Sequence, residues 1–417
     1  MATHGRVRVH RVAVGTKPGR FTGQLVHWGP LISDIRVLCV IDSLAPGGAE
    51  TSLAAVAPHL IRAGVGLHVS YIHERDGLRP AFTRRGVATY HLGSESSSSS
   101  LRRLRRLIRE LRPDLIHTSL AEADLLGRIA GRLEHVPVVS SLVNVQYGPE
   151  HLQDPHVVGW KLRMWQVADI ATARFVRRFH AVSEDVADVM AKRLMVSRRL
   201  IDVVPRGRDP DALGPPSSRR RALARDLLGI GNDELILAIG RQAHQKGFDI
   251  LIESLADLSH SRPRVQLWIA GAPGAESHAL TAQITRLNLS ASVRLLGHRD
   301  DIPDLLAAAD VFVLPSRREG SPGALIEAMA MSVACVASDV NTVREVAGSP
   351  PVVRLVPPGS PSLLATAVGE LLADPRGARE LGSRARDRFL DRYTVGRSAE
   401  ELTSFYRHAL HGVQVAP

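Results

Sequence analysis

One pattern constrains this chain more than any other: a short apolar run, a glycine-bearing turn and a helical stretch occur in that order twice. Ile35-Arg36-Val37-Leu38-Cys39-Val40-Ile41 leads through Asp42–Gly48 into a helical pattern from Ala49 to Ile61. Leu235-Ile236-Leu237-Ala238-Ile239 leads through a turn over Gly240–Gln245 into a helical pattern from Lys246 to Leu258. Apolar runs rich in β-branched residues suit strands buried on both faces, which requires a parallel sheet with helices on either side. Later runs repeat the alternation: Leu67–Ile72, Ala88–Leu92, Leu115–Thr118, Val136–Leu142 and Arg178–Val182, then Val265–Ala270, Val293–Leu296, Val311–Leu314 and Val333–Ala337. The expected fold class is α/β, with two Rossmann-like doubly wound parallel-sheet domains facing across a cleft.

The boundaries follow from composition. Residues 1–33 carry five Lys/Arg and no Asp/Glu without sustained periodicity, and are expected to form a flexible basic extension. The N-terminal Rossmann-like domain is expected over 34–205. A linker is expected over 206–218, which holds three prolines and two glycines. The C-terminal domain is expected over 219–392, and residues 393–417 should form a helix packing back towards the first domain. Leu363–Leu372 and Ser398–Leu410 are the helical stretches available to pack across both halves. Ser96–Ser100 reads as a polar loop. No apolar run reaches the length of a membrane span, and the first thirty residues lack the apolar stretch of a secretory signal. Cys39 and Cys335 both fall in apolar runs, so a disulfide framework is not expected and the cytoplasm is the expected compartment.

The richest chemistry lies in Ser316-Arg317-Arg318-Glu319-Gly320-Ser321-Pro322-Gly323-Ala324-Leu325-Ile326-Glu327. Ser321 before Pro322 reads as an N-cap followed by proline at the first helical position. The free amides near Gly323 and Ala324 would then face the cleft and bind phosphate oxygens with the positive end of the helix dipole. Carboxylates are poor phosphate ligands but good acceptors from hydroxyls. Glu319 and Glu327 would therefore meet the two ends of a nucleotide-sugar. In the matching first turn, Gly240-Arg241-Gln242-Ala243-His244-Gln245-Lys246-Gly247 offers a guanidinium fork and a compact ammonium for a diphosphate. Alternatively, the acids only complement the helix dipole and the two cations are surface charges. The segment is not a P-loop, and no G-x-G-x-x-G fingerprint follows either first strand.

Taken as an ordered set, these segments resemble the GT-B-fold glycosyltransferases of the large retaining family 4. The resemblance spans about 34–410 and rests on Gly47-Gly48-Ala49-Glu50, Ala181-Val182-Ser183-Glu184 and Gly240-Arg241 with Lys246-Gly247. It rests also on the spaced acids of Glu319 and Glu327-Ala328-Met329-Ala330, and on Leu355-Val356-Pro357-Pro358-Gly359. It implies that Gly47 and Gly48 line the loop beside acceptor and donor phosphates. Arg241 and Lys246 would hold the diphosphate, Glu319 the donor-sugar hydroxyls and Glu327 the ribose. His117 would be a candidate for contact with the reacting sugar, although a strand-end histidine is as often structural. The resemblance further implies a UDP- or GDP-linked donor, no further cofactor, no catalytic metal, and retention of anomeric configuration by same-face attack. The implied setting is cell-envelope or exopolysaccharide synthesis on a glycan or lipid acceptor.

The chain departs from the family pattern at several places. Pro205-Arg206-Gly207-Arg208-Asp209 stands where Pro-Asn-Gly-aliphatic-Asp is usual, and Ser119 where relatives often carry a second histidine. A GT-B-type epimerase or hydrolase, or a non-catalytic binding protein with a decayed cleft, are the alternatives these leave open. Net charge is +11 and concentrates in the N-terminal half, which suggests an anionic partner there. Leu101-Arg102-Arg103-Leu104-Arg105-Arg106-Leu107-Ile108-Arg109 has leucines on one helix face and arginines on the other. It would suit a peripheral position on the inner face of an anionic plasma membrane, or a helix packed on the sheet with a solvated face. Aromatics are 4% and not interleaved with basic runs, so nucleic acid is not expected as a partner.

Overall fold

The computed structural model describes residues 34–93, 96–148 and 157–411; the basic extension over 1–33 lies outside them. Among the described residues, thirteen strands form two parallel sheets. The first contains β1 (Ile35–Ile41), β2 (Val65–Tyr71), β3 (Ala88–His91), β4 (Leu115–Ser119), β5 (Val138–Leu142), β6 (Arg178–Ala181) and β7 (Ile201–Val203), in the order β3-β2-β1-β4-β5-β6-β7. The second contains β8 (Glu234–Ile239), β9 (Val265–Ala270), β10 (Val293–Gly297), β11 (Val311–Leu314), β12 (Ala334–Ser338) and β13 (Arg354–Val356), in the order β10-β9-β8-β11-β12-β13. The expected doubly wound architecture is present in both halves.

The first strand of each half is central because it can bury both faces. Val37, Cys39 and Ile41 enter one core and Leu38 and Val40 the core on the opposite face of the sheet. Strand order reverses between β1 and β4 and between β8 and β11, so each sheet has a topological switch point at its carboxyl edge. The turns after β1 and β8 and the loops after β4 and β11 are thereby brought to those two crevices. β7 and β13 were not foreseen; three residues each at a sheet edge give too short an apolar run to be distinctive.

Several local expectations are corrected. Ser97–Ser100 is the opening of the Ser97–Leu111 helix, not a loop: Ser96 Oγ accepts from the Ser99 amide at 3.2 Å. Serine disfavours helix interiors but caps helix starts well. The leucine face of this helix is occupied by the domain core, with Leu104, Leu107, Ile108 and Leu111 buried. Residues 206–218, the expected linker, carry local structure of their own. Asp209 caps a short helix, Pro210–Leu213, and Ser217 caps the Ser218–Leu227 helix. Arg208 bonds backbone to backbone with the returning chain, its N–H to the Tyr393 carbonyl and its carbonyl to the Val395 N–H, each at 2.8 Å.

Of the C-terminal helices, Pro361–Ala373 packs on Phe248–Ser261 within the second domain rather than across both. Pro375–Arg392, which periodicity did not reveal, lies against Gly323–Ala330 and β12. Val395–His411 then packs on Gly48–Arg62, adding Val395, Leu402, Phe405 and Tyr406 to the first domain's core. The domains are thus joined by two chain crossings lying side by side.

Candidate functional site

β8 and β11 are neighbours, so the loops after them meet at the edge of the second sheet. Arg317 laces them together: its guanidinium grips both oxygens of Asp249 at 2.8 and 2.6 Å, and its amide donates to the Gln245 carbonyl at 2.9 Å. Gly247 makes the close approach possible, with φ +65° and a Pro315 carbonyl 2.2 Å from where a Cβ would stand. Held in this frame, Lys246 Nζ lies 2.7 Å from Glu319 Oε1, which also accepts from Ser316 Oγ at 2.7 Å. Glu319 is buried and Lys246 part-exposed. Arg241 is exposed, and its side chain makes no hydrogen bond or ion pair with another described residue. Gly240 abuts the Lys246 side chain, 3.3 Å from its Cδ if a Cβ were added.

The helix after this loop is Gly323–Ala330, one residue later than expected. Pro322, at φ −77° and ψ 72°, is its N-cap and has no side-chain capping bond; Ser321 caps only through its carbonyl, which accepts from the Gly323 amide at 2.9 Å. The Gly323 amide is thus engaged by Ser321, and it is the Ala324 amide of the first turn that no side-chain cap takes and that is left for an anion. A guanidinium is already stationed there. Arg208 Nη2 falls 1.9 Å from the position a Gly323 Cβ would take, and Arg208 Nε donates to Glu327 Oε1 at 2.6 Å.

The first domain meets this edge directly. A Cβ on Gly320 would lie 2.3 Å from the Val143 carbonyl, so the two domains touch backbone to backbone beside Glu319. Gly47 and Gly48 begin the Gly48–Arg62 helix, but the anion position at its start is taken by Glu50. A Cβ on Gly47 would fall 2.5 Å from Glu50 Oε2. The Glu50 carboxyl is turned back on the amides of Glu50 and Ala49; burial raises its pKa, and Arg206 and Arg241 oppose that rise. Arg206 is half-buried with its pKa lowered to about 10, first by burial and then by Arg208. It lines a cavity of about 80 Å³ together with His117, Ser119 and Ser141.

His117 is on this cavity wall and is hydrogen-bonded at both ring nitrogens. Its Nδ1 bonds Tyr406 Oη at 2.8 Å and its Nε2 bonds Ser141 Oγ at 2.7 Å. Ser141 passes the network to His180, whose Nε2 bonds the Val204 carbonyl at 3.0 Å. Burial lowers the pKa of His117 to about 3 and of His180 to about 4. Both ring nitrogens are thus engaged within the protein, and the ring joins the first sheet to the C-terminal helix.

Comparison with known proteins gives the family. The family model for glycosyl transferases group 1 matches residues 220–388, and that for Glycosyltransferase Family 4 matches 46–212. The chain belongs to the GT-B glycosyltransferases of family 4. It is 30% identical over 245 residues to the Escherichia coli UDP-Gal:alpha-D-GlcNAc-diphosphoundecaprenol alpha-1,3-galactosyltransferase, covering 58% of this chain and 62% of that one. It is 26% identical over 402 residues to the Streptomyces fradiae 2-deoxystreptamine N-acetyl-D-glucosaminyltransferase, covering 90% of each. Among solved structures, Anabaena HepE in complex with UDP and glucose has a TM-score of 0.79 at 24% identity, covering 89% of this chain and 99% of that one. That likeness carries the fold.

Within this glycosyltransferase, sequence reasoning brought forward Arg241, Lys246, Glu319 and Glu327; the structure pairs Lys246 with Glu319 in the loops after β8 and β11, and Glu327 with Arg208 at the start of the Gly323–Ala330 helix. Three contributors were not named beforehand as site residues. Ser316 holds Glu319, Arg208 holds Glu327, and Glu50 caps the helix that Gly47 and Gly48 begin. Arg208 carried a signal, since it breaks the usual Pro-Asn-Gly-aliphatic-Asp pattern.

Proposed function

We propose that this glycosyltransferase moves a hexose from a UDP- or GDP-linked donor to a hydroxyl of a glycan or lipid-linked acceptor, with retention and without a catalytic metal. The observation that carries the reading is the Lys246–Glu319 pair in the loops that follow β8 and β11, with the exposed Arg241 side chain on the first of those loops. The Ala324 amide and Arg241 hold the diphosphate. Lys246 lies within reach of both the diphosphate and Glu319, which accepts from the donor-sugar hydroxyls. Glu327 accepts from the ribose. Fixed positive charge of this kind stabilises the phosphate oxygens as they become a leaving group.

In the transfer step the acceptor oxygen bonds the anomeric carbon from the face that the phosphate leaves. The acceptor proton passes to the departing phosphate oxygen, and the nucleoside diphosphate is released. The Escherichia coli relative's lipid-linked acceptor supports an envelope or exopolysaccharide role at the cytoplasmic face of the plasma membrane. Titration calorimetry with UDP-, GDP- and ADP-sugars, followed by product analysis with and without acceptor, tests the proposal. Transfer with the anomeric configuration kept is the expected result. Binding of no donor returns the cleft to a non-catalytic role, and conversion of the donor alone assigns an epimerase or hydrolase.

A further inference from the structure

The helix Gly159–Ala173 turns to solvent what a domain ordinarily buries. Trp160, Met164 and Val167 are 60%, 62% and 67% exposed, and Trp165 beside them is 38% exposed. Trp160, Met164, Val167 and Ala171 recur at helical spacing and form one outward stripe. Exposed Lys161 and Arg163 flank it, with Lys161 Nζ 5.7 Å from the Trp160 ring centre.

The helix is locked in this orientation. On its inner face Asp169 pairs with Arg128, a fully buried residue of the Ala121–Glu134 helix, and accepts from Tyr147 Oη at 2.8 Å. Arg128 also donates to Thr172 Oγ1 at 3.2 Å. Rolling the helix to hide the stripe would take Asp169 from the buried guanidinium and leave it only Asp124, 3.6 Å away, a costly exchange.

A cationic surface adjoins the stripe. Ala121–Glu134 packs between Gly159–Ala173 and Ser97–Leu111, so the three helices share one side of the first sheet. Ser97–Leu111 contains five arginines and one glutamate, and Arg102, Arg103, Arg106 and Arg109 are exposed. The middle helix adds exposed Arg132 and Leu133. Topology aims the stripe as well. β5 ends at the sheet edge where Val143 abuts Gly320, and the next helix returns from that edge. Trp160 therefore marks the cleft end of the helix.

We propose that this face docks on an anionic bilayer surface, with the Trp160–Met164–Val167 stripe entering the interfacial layer and the arginines facing lipid phosphates. Tryptophan favours the membrane–water interface, and juxtaposed apolar and basic groups bind anionic lipid more strongly than either alone. The arginine helix supplies charge while its leucines stay in the core; the apolar contact comes from the other helix.

Flotation of the full chain with vesicles of phosphatidylcholine alone, or mixed with phosphatidylglycerol, tests the proposal without reference to turnover. The wild type is expected to float with the mixed vesicles, with a blue shift in tryptophan emission, and to dissociate as salt rises. The variant Trp160→Ser/Met164→Ser/Val167→Ser should melt like the wild type yet bind about tenfold or more weakly. Arg102→Glu/Arg106→Glu should lose most of the preference for anionic lipid. Equal binding by the stripe variant, or equal wild-type binding to both vesicle types, overturns the proposal. So does a wild type that ignores vesicles but self-associates through the stripe in sedimentation velocity.

Discussion

Arg208 holds Glu327: guanidinium Nε stands 2.6 Å from carboxylate Oε1, with the two side chains only 15% and 20% exposed. The same guanidinium reaches Ser52 Oγ of the first domain at 3.5 Å. One residue of the segment between the domains therefore touches both, at the helix start assigned to the donor. Glu327 has to divide its oxygens between Arg208 and a ribose, and Arg208 adds a cation beside the diphosphate.

Glu327→Ala should lower kcat/KM for the donor about 10- to 100-fold, the span of one charge-assisted hydrogen bond at roughly 1.5–3 kcal/mol. Arg208→Leu should weaken donor binding and also destabilise the protein, because a part-buried carboxylate loses its partner. The double variant should be more stable than the sum of the singles predicts. Denaturant unfolding of all four proteins checks this, and strict additivity would show that the ion pair contributes nothing.

Lys246→Met separates stability from chemistry. Glu319 would keep only the Ser316 hydroxyl in a buried position, so stability should drop. Adding Glu319→Gln removes the stranded charge and should recover stability. Turnover should fall about 100-fold or more in both variants, since fixed charge at the leaving group is gone in each. Recovery of turnover along with stability would make the pair a scaffold only.

Why some of this was legible in the sequence and some was not has a physical answer. Lys246 and Glu319 each lie in the turn that follows an apolar run, and adjacency of the two strands at the switch point brings them together. The Arg208–Glu327 contact depends on how the domains sit, which no local pattern encodes. Tyr406 lies 289 positions from its partner His117. Ser321 was misplaced because Pro322 adopts a non-helical conformation, which moves the helix start onto Gly323. Trp160, Met164 and Val167 have the period of a core-facing stripe; only the burial of Asp169 with Arg128 shows which face looks outward.

Gly320→Ala tests the domain contact. Its Cβ would meet backbone, 2.3 Å from the Val143 carbonyl and 2.7 Å from the Asn144 Cα, so the domains or the Glu319 loop must shift. Displacement on the order of 1 Å at a reacting centre costs about 100-fold in rate. Turnover should fall by that order while both domain cores remain folded by circular dichroism. Gly369→Ala, whose Cβ would lie 3.4 Å from the flexible end of Leu258, serves as the silent comparison.

His117 makes folding sensitive to acid in a predictable direction. Its pKa is 6.5 when free and about 3 when buried. Between those values the unfolded chain holds a proton that the native protein does not, so stability is present above pH 6.5 and lost as pH falls towards 3. The maximal slope for one proton is about 1.4 kcal/mol per pH unit. His117→Asn loses a bond to Tyr406 or Ser141 and should be less stable at neutral pH. It takes up no such proton on unfolding, so its deficit relative to wild type should shrink between pH 6.5 and pH 4.5. Buried carboxylates titrate in the same range, Asp42 at about 6 and Asp124 at about 7, with the opposite sign. They are common to both proteins and cancel in the difference. A deficit that stays constant across that window would mean that His117 is protonated in the folded state, and with it the neutral Tyr406–His117–Ser141 network would have to be redrawn.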